Sequence, residues 1–264
     1  MIEARQVSVA INRKPILRTV DIQALPGQLT AIVGPNGSGK STLVKALSGD
    51  LAYDGQITIN GDDLASMRPA QAALWRAVLP QSTTMSFPFT VGEVVRLGMT
   101  GGRSGALLGA QEDLPARALD KVDLSGFSGR LYQELSGGEQ QRVQLARVLC
   151  QVWAPVLEGR PRYLLLDEPV SSLDIKHQLI VMKIAREFAA RGGGVVAVLH
   201  DLNLSAAYAD QMIVMRRGKI AAAGTPARIM ESRLLSDVFE CPLDVGALPP
   251  ATIPFVLPQA VASG

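Results

Sequence analysis

Residues 34–42, with the sequence GPNGSGKST, constrain this chain more than any other segment. They fit the pattern G-x-x-x-x-G-K-[ST], in which glycines let the backbone turn closely around phosphate groups while consecutive N–H groups point inward. The preceding run LTAIVG suits a buried parallel strand, and the following LVKALSGD has a helical pattern. This order of strand, Gly-rich loop and helix predicts an α/β fold that binds phosphates at a helix N-terminus.

The side chains of this loop indicate a nucleoside triphosphate with Mg²⁺. We expect Lys40 to reach the β- and γ-phosphates and the Ser41 hydroxyl to ligate Mg²⁺. ATP and Mg²⁺ are therefore the predicted cofactors. The candidate nucleotide-binding residues are Gly34, Pro35, Asn36, Gly37, Ser38, Gly39, Lys40, Ser41 and Thr42.

A second acidic element follows in LLLDEP at 164–169. Asp167 ends an apolar run that reads as a buried strand, where its carboxylate can hold Mg²⁺ through water. Glu168 comes next and can polarise an attacking water as a general base. Two adjacent carboxylates repel each other unless a cation or a proton compensates, so this pair predicts the catalytic end of the nucleotide site.

The string LSGGEQQRVQLAR at 135–147 predicts a dimer. Its Ser136, Gly137 and Gly138 open a helix and make a second anion site at a helix N-terminus. One chain does not need two sites for a γ-phosphate, but two chains arranged head to tail do. We therefore expect each copy to present this segment to the ATP held by the other.

Together these strings resemble the nucleotide-binding subunits of ATP-binding cassette (ABC) transporters, over essentially residues 1–230. The resemblance includes Gln81 in VLPQS, SSLD at 171–174 and His200 in VLHD. It implies that Gln81 senses Mg²⁺ and the attacking water, and that His200 contacts the γ-phosphate. It also implies that the opposing subunit meets Asp174 and the residues Ser136, Gly137, Gly138 and Glu139.

The expected fold is a P-loop NTPase (RecA-like) core with an antiparallel β subdomain and an inserted α-helical subdomain, all in one ATPase domain over 1–264. Residues from about 82 to 150 are mostly helical in pattern and interrupt the core of 1–81 and 151–230. Their Gly-rich stretch at 98–109 is expected to be a surface loop. Residues 231–264 form a C-terminal extension, whose Pro-rich end from about 245 we expect to be partly extended, on the surface or frayed.

Three shorter patterns carry expectations about strands. RQVSVAI has Val7, Val9 and Ile11 at alternate positions, which predicts a half-buried strand. YDGQITINGDDL reads as a hairpin punctuated by Gly55 and Gly61. GGGVVAVLHDL predicts a further core strand, and DQMIVMRRGKIAAAG predicts two more.

Ile11 departs from the family pattern. The family usually stacks an aromatic side chain on the adenine from the first strand, about 25 residues before the phosphate loop, and Ile11 occupies that place here. Base–aromatic stacking is worth about 1–3 kcal/mol per base in nucleic-acid binders. Weak adenine recognition is therefore expected, and other nucleoside triphosphates remain as alternative substrates.

Composition limits the partners. The net charge of +2 does not indicate a nucleic-acid partner. The N-terminus has no apolar region typical of a signal peptide, and no apolar run approaches the length of a membrane span. We therefore expect a soluble, cytoplasmic protein whose membrane partner is a separate permease. Cys150 and Cys241 are expected to be buried, reduced thiols.

The cargo is indicated only by resemblance. AVLPQSTTMSFPFTVGEVVRLG and VLHDLNLSAAYADQMIVMRRGKIAAAGTP are similar to importers of large iron chelates and cobalamin. RAVLPQS…FPFTV, LYQELSGGEQQRVQLARVLCQ and the insert VWAPVLEGRPRYLLLDEP resemble the haem (hemin) import ATPases within that group. The resemblance implies a peripheral subunit on the cytoplasmic face of the bacterial inner membrane, beneath a permease dimer and served by a periplasmic haem-binding protein. Ferric-siderophore or cobalamin import, and a soluble ABC protein without a permease, remain as alternatives.

Overall fold

A six-stranded sheet runs through the computed structural model, which describes residues 1–83, 85, 87–99 and 113–257. Its strands are β3 (Leu29–Val33), β6 (Arg76–Leu79), β9 (Tyr163–Asp167), β10 (Gly194–Val198), β11 (Gln211–Arg216) and β12 (Lys219–Gly224). They lie in the order β12-β11-β3-β10-β9-β6, with all neighbours parallel except the antiparallel pair β11–β12. The strands predicted from LTAIVG, RYLLLDEP, GGGVVAVLHDL and DQMIVMRRGKIAAAG are all present.

Both faces of the central strands of this sheet are buried, which explains their continuous apolar runs. Along β9, Leu164 and Leu166 face one hydrophobic core, whereas Tyr163 and Leu165 face another. The other central strands alternate in the same way. The first core lies against the helices of the middle of the chain, and the second lies against the antiparallel sheet and the helix after the phosphate loop.

The antiparallel sheet consists of β1 (Ile2–Ile11), β2 (Lys14–Ala24), β4 (Asp54–Ile59) and β5 (Asp62–Asp63). These strands lie in the order β2-β1-β4-β5. A two-stranded hairpin, β7 (Val156–Leu157) with β8 (Arg160–Pro161), lies in the insert before the acidic pair.

Two expectations about this sheet need correction. Gly61 lies at the β4–β5 turn as predicted, but Gly55 lies inside β4 and not at a turn. A Cβ at Gly55 would approach the Gln6 carbonyl oxygen to 2.5 Å, because β1 is irregular at that point. Val7 and Val9 are buried, whereas Ile11 is 42% exposed at the strand end, beyond a register shift after Val9.

The helices are α1 (Lys40–Ser48), α2 (Pro69–Trp75), α3 (Val91–Leu97), α4 (Leu114–Lys121), α5 (Gly137–Gln151), α6 (Ile175–Ala190), α7 (Leu202–Tyr208), α8 (Pro226–Ile229) and α9 (Ser232–Phe239). Helices α3 and α4 fall within 82–150, α5 ends one residue beyond it at Gln151, and the three contact one another. The predicted mixed α/β fold, with an antiparallel sheet and a helical part, is thus confirmed. The domain limits at 81/82, 150/151 and 230/231 stay predictions.

The C-terminal segment is irregular and partly exposed, as expected. Residues 245–257 form no helix or strand, and several of their apolar side chains are exposed. Of the Gly-rich stretch, only Gly98 and Met99 lie within the described residues, so the loop expected at 98–109 falls mostly outside them. Cys150 is buried as expected, but Cys241 is exposed; both are free thiols.

Candidate functional site

Four neighbouring parallel strands deliver the predicted site residues to one edge of the central sheet. The phosphate loop follows β3, His200 follows β10, Glu168 follows β9, and Gln81 follows β6. Because these strands are adjacent in the order β3-β10-β9-β6, their carboxyl ends lie side by side. Ligands of open α/β sheets bind at this edge.

The backbone of the phosphate loop requires glycine. Gly34 has φ 148°, and a Cβ there would come within 2.2 Å of the Met215 carbonyl oxygen of β11. Gly39, in the left-handed region at φ 104°, precedes α1, whose N-terminus has no side-chain cap. The first N–H groups of a helix lack partners within the helix, so α1 offers donors to an anion.

Two side chains of the loop fit a phosphate group. The Ser38 hydroxyl is buried and, within the residues that the structure describes, has no hydrogen-bond partner. Lys40 is only 5% exposed, and its Nζ donates to the carbonyl oxygens of Gly34 and Pro35 at 2.9 and 3.0 Å. Burial lowers the pKa of Lys40, which the nearby carboxylates of Glu168 and Asp167 partly oppose. A buried cation among free donors is well suited to a polyanion.

Asp167 and Ser41 provide oxygen atoms next to this loop. The Ser41 hydroxyl donates to Asp167 Oδ1 at 2.9 Å. Asp167 is 2% exposed, and burial raises its pKa, although the hydrogen bond from Ser41 acts in the opposite direction. No group of three or more His, Cys, Asp or Glu that could hold a metal occurs in the described part of the chain. Mg²⁺ commonly takes one or two protein oxygens together with substrate phosphates, and this pair of oxygens fits that arrangement.

The Glu168 carboxylate is held on both sides. Gln81 Nε2 donates to Glu168 Oε2 at 2.9 Å, and His200 Nε2 lies 2.7 Å from Glu168 Oε1. The backbone of Glu168 is left-handed, with φ 53°, a conformation that costs a non-glycine residue about 1–2 kcal/mol. Gln141 Nε2 donates to the Glu168 carbonyl oxygen at 2.9 Å, and the Ser171 hydroxyl does so at 3.2 Å. These contacts hold the carboxylate in one orientation, as a general base requires.

The first turn of α5 is a capping box. The Ser136 hydroxyl accepts from the Glu139 N–H at 3.3 Å, and the Ser136 N–H donates to Glu139 Oε2 at 2.8 Å. Hydrogen bonds from the Ser136 side chain and then from its backbone lower the pKa of Glu139. A Cβ at Gly137 would meet nothing within 4 Å, whereas one at Gly138 would lie 3.1 Å from the Ser172 carbonyl oxygen. The turn is therefore open to an incoming group at Gly137.

Asp174 lies beside this turn and caps α6. Its Oδ1 accepts from the backbone N–H of His177 at 2.9 Å. Asp174 lines one groove together with Ser136, Gly138 and Glu139. The predicted residues thus form two groups: Gln81, Glu168 and His200 with the phosphate loop and Asp167, and Asp174 with the first turn of α5.

Sequence reasoning missed the residues that join these groups. Gln141 lies one turn after Gly137 and links α5 to the Glu168 carbonyl oxygen. Arg142 of α5 and His177 of α6 each contact the segment after α4, at Val122 and at Asp123 respectively. Gln141 and Arg142 belong to the string LSGGEQQR, whose helical periodicity could have placed them on a buried face. His177 gave no signal beyond its position three residues after Asp174.

Known proteins resemble the chain along almost its whole length. A family model described as ABC transporter matches residues 17–171. The hemin import ATP-binding protein HmuV of Mesorhizobium japonicum is 67% identical over 260 residues, which cover 98% of this chain and 99% of that protein. The protein of the same name from Chelativorans sp. is also 67% identical, over 259 residues and 98% of both chains.

A solved structure has the same fold. The structure described as an ATP binding subunit of an ABC transporter superposes with a TM-score of 0.74, at 24% identity, over 87% of this chain and 91% of that one. In the described ranges of the present chain, no helix has both the length and the apolar character needed to cross a membrane.

Proposed function

The chain belongs to the ABC transporter family, and we propose that it is the ATP-hydrolysing subunit of an importer that carries hemin across the bacterial inner membrane. For hydrolysis, the supporting observation is the Glu168 carboxylate held between Gln81 and His200 at the sheet edge that bears the phosphate loop. For hemin, the support is 67% identity to hemin import ATP-binding proteins over nearly the full chain.

The phosphate loop and α1 bind the triphosphate of ATP. The residues Gly34, Pro35, Asn36, Gly37, Ser38, Gly39, Lys40, Ser41 and Thr42 surround the phosphates with N–H and hydroxyl donors. Lys40 exchanges the carbonyl oxygens of Gly34 and Pro35, its present partners, for phosphate oxygens. Ser41, Asp167 and Gln81 would hold Mg²⁺, which would supply positive charge to offset that of the phosphates. The buried Lys40 ammonium gives a charge-assisted contact, which is stronger than a neutral hydrogen bond.

Glu168 acts as the general base. Its carboxylate takes a proton from the water that attacks the γ-phosphorus. The Gln81 amide and the His200 ring, which follow the strands on either side of β9, orient it. Gln81 follows β6 and precedes the helical part, so a movement of the helical part can shift Gln81 relative to Glu168. His200 follows β10 and lies close enough to Glu168 to contact the γ-phosphate as well.

A second copy completes the site. The first turn of α5, with Ser136, Gly137, Gly138 and Glu139, presents an open helix N-terminus to the γ-phosphate bound by the other copy, and Asp174 contacts that copy beside it. Helix N-termini bind anions through free N–H groups and the helix dipole. The partners are thus a second, head-to-tail copy, a permease dimer above it, and indirectly a periplasmic haem-binding protein. The chain lies peripherally on the cytoplasmic face of the membrane.

Glu168→Gln tests the hydrolytic mechanism. The amide keeps the shape of the side chain but cannot accept the proton of water, so turnover is expected to fall by about 10²-fold or more. ATP-bound dimers should accumulate and be detected by sedimentation in the presence of ATP. Hydrolysis by this variant at the wild-type rate would show that another group is the base.

Uptake into vesicles tests the cargo. The chain is reconstituted with its permease and binding protein, and hemin, a ferric siderophore and cobalamin are supplied separately. Hemin alone should accumulate in an ATP-dependent manner, and the Glu168→Gln variant serves as the inactive control. Accumulation of the siderophore or cobalamin in its place would reassign the cargo. Failure of the chain to assemble with any permease, together with no uptake of the three cargoes, would favour a soluble ABC protein.

A further inference from the structure

The imidazole of His177 lies between two carboxylates from different parts of the fold. Its Nδ1 lies 2.8 Å from Asp174 Oδ1, and its Nε2 lies 3.3 Å from Asp123 Oδ2. The His177 side chain is 17% exposed, whereas those of Asp174 and Asp123 are 66% and 47% exposed. The ring therefore fills the space between the two acids and joins them.

Asp123 is itself fixed by α5, the helix whose first turn carries Ser136, Gly137 and Gly138 and is called the LSGG turn below. Arg142 of α5 is buried, and its Nη1 donates to the carbonyl oxygens of Val122 and Asp123 at 2.8 and 2.7 Å. Asp123 has a left-handed backbone, with φ 59°, at the end of α4. Lys176 also forms an ion pair with the Asp123 carboxylate. The position of Asp123 thus follows the position of α5.

Asp174 lies on the other side of the ring. It ends the segment 171–174 and accepts from the backbone N–H of His177, and the ring Nδ1 of His177 lies 2.8 Å from the same oxygen. The groove beside it is lined by Ser136, Gly138 and Glu139 of the first turn of α5. Among the described residues, the backbone N–H of His177 is the other hydrogen-bond partner of this exposed carboxylate, so loss of the ring would leave it held by that one hydrogen bond.

We propose that His177 is a positioning residue, which fixes the Asp174 carboxylate relative to α5 so that Asp174 and the LSGG turn meet the opposing copy as one rigid surface. The inference rests on the ATP-driven pairing proposed above. Loss of the ring should slow formation of the closed dimer, and hence turnover. It should leave ATP binding by one chain unchanged, because the phosphate loop is carried by a different strand end.

Replacing the ring tests this role through kcat and KM. His177→Phe keeps an aromatic ring but removes both polar contacts, and kcat of the full chain is expected to fall about tenfold with an unchanged KM for ATP, as for one lost charge-assisted hydrogen bond. His177→Gln retains an amide donor and should recover most of kcat. Lys176→Gln is the matched control: it also removes an Asp123 partner but does not touch Asp174, and should stay within about twofold of wild type.

A double-mutant cycle guards against a variant that merely folds poorly. Asp123→Asn weakens the other end of the link and should lower kcat by a similar factor. The Asp123→Asn/His177→Phe double variant should lose no more than either single variant. The proposal would be overturned if the losses of kcat in the two single variants multiplied in the double variant. It would also be overturned if His177→Phe kept the wild-type kcat, or if its KM rose by the same factor by which its kcat fell. A wild-type chain that hydrolyses no ATP, together with a Glu168→Gln variant that forms no ATP-dependent dimer, would instead overturn the proposed function.

Discussion

Ile11 lies at the exposed end of β1, at the place where the family pattern puts an aromatic side chain on the adenine. The position is 42% exposed, so a larger ring there would not disturb the buried face of the strand. An aliphatic side chain can contact the adenine but lacks the π face that gives stacking its strength. We therefore expect recognition of the base to be the weakest part of the nucleotide site.

Ile11→Tyr is expected to tighten ATP binding. Base–aromatic stacking contributes about 1–3 kcal/mol, which corresponds to an affinity gain of at least about fivefold. Isothermal titration with ATP, and with a pyrimidine nucleotide for comparison, measures the gain and the discrimination between bases. Ile11→Leu is the control and should bind like wild type. Equal affinity of the Tyr variant and wild type would place the adenine elsewhere.

Two helices of this fold, α3 and α5, begin with a capping box that is encoded by residues three positions apart. Helix α3 starts with Thr90 and Glu93, and α5 starts with Ser136 and Glu139, and each pair forms a capping box. In α3, the Glu93 carboxylate accepts from both the backbone N–H and the hydroxyl of Thr90 at 2.7 Å. These bonds, the backbone one first, lower the pKa of Glu93. The cap thus favours the ionised carboxylate in the folded state.

Glu93→Gln tests this linkage at the level of one helix. A carboxyl whose pKa is lower in the folded than in the unfolded chain contributes stability above its unfolded value, about 4.3 for glutamate, and loses it as the pH falls through its folded value. Glutamine can still complete a capping box but carries no charge. Wild type should therefore have the higher Tm at pH 7, and the difference should vanish in acid. A difference that is independent of pH would contradict the assignment.

At the scale of the whole molecule, the predicted site residues form two groups on one chain. One group surrounds the phosphate loop, and the other surrounds the first turn of α5. The groups meet where Gln81 and Gly137 line a common groove and where Gln141 donates to the Glu168 carbonyl oxygen. A head-to-tail pair would bring the surface of each group to the complementary surface of the other copy, as a closed two-fold assembly requires.

Mixing two inactive variants tests this assembly. Lys40→Ala impairs the phosphate loop, and Gly137→Asp impairs the LSGG turn by adding charge and bulk at its open position. A mixed dimer contains one fully impaired and one intact composite site. Random pairing of equal amounts therefore predicts about a quarter of the wild-type ATPase rate. Each variant measured alone is the control. A mixture no more active than its components would speak against the head-to-tail pair.

Local patterns in the sequence were sufficient for most elements of the fold. The apolar runs of the central strands, the glycines and lysine of residues 34–42 and the Ser–Glu spacing at the start of α5 each specify structure within a few residues. Such signals depend on backbone sterics, helix capping and period, which are short-range. The α/β class, the phosphate loop and the acidic pair could thus be predicted without knowledge of neighbours in space.

Only the tertiary structure decided how those elements meet. The order β3-β10-β9-β6 brings Gln81 and His200, 119 positions apart by their numbers, to one carboxylate. An irregular β1 explains why Gly55 lies within a strand, and folding of α4 beside α6 brings Asp123 to His177. These contacts depend on long-range pairing and on side-chain direction, which no local pattern encodes. The sequence therefore predicted which side chains take part in the site, whereas tertiary packing determined which side chains contact one another.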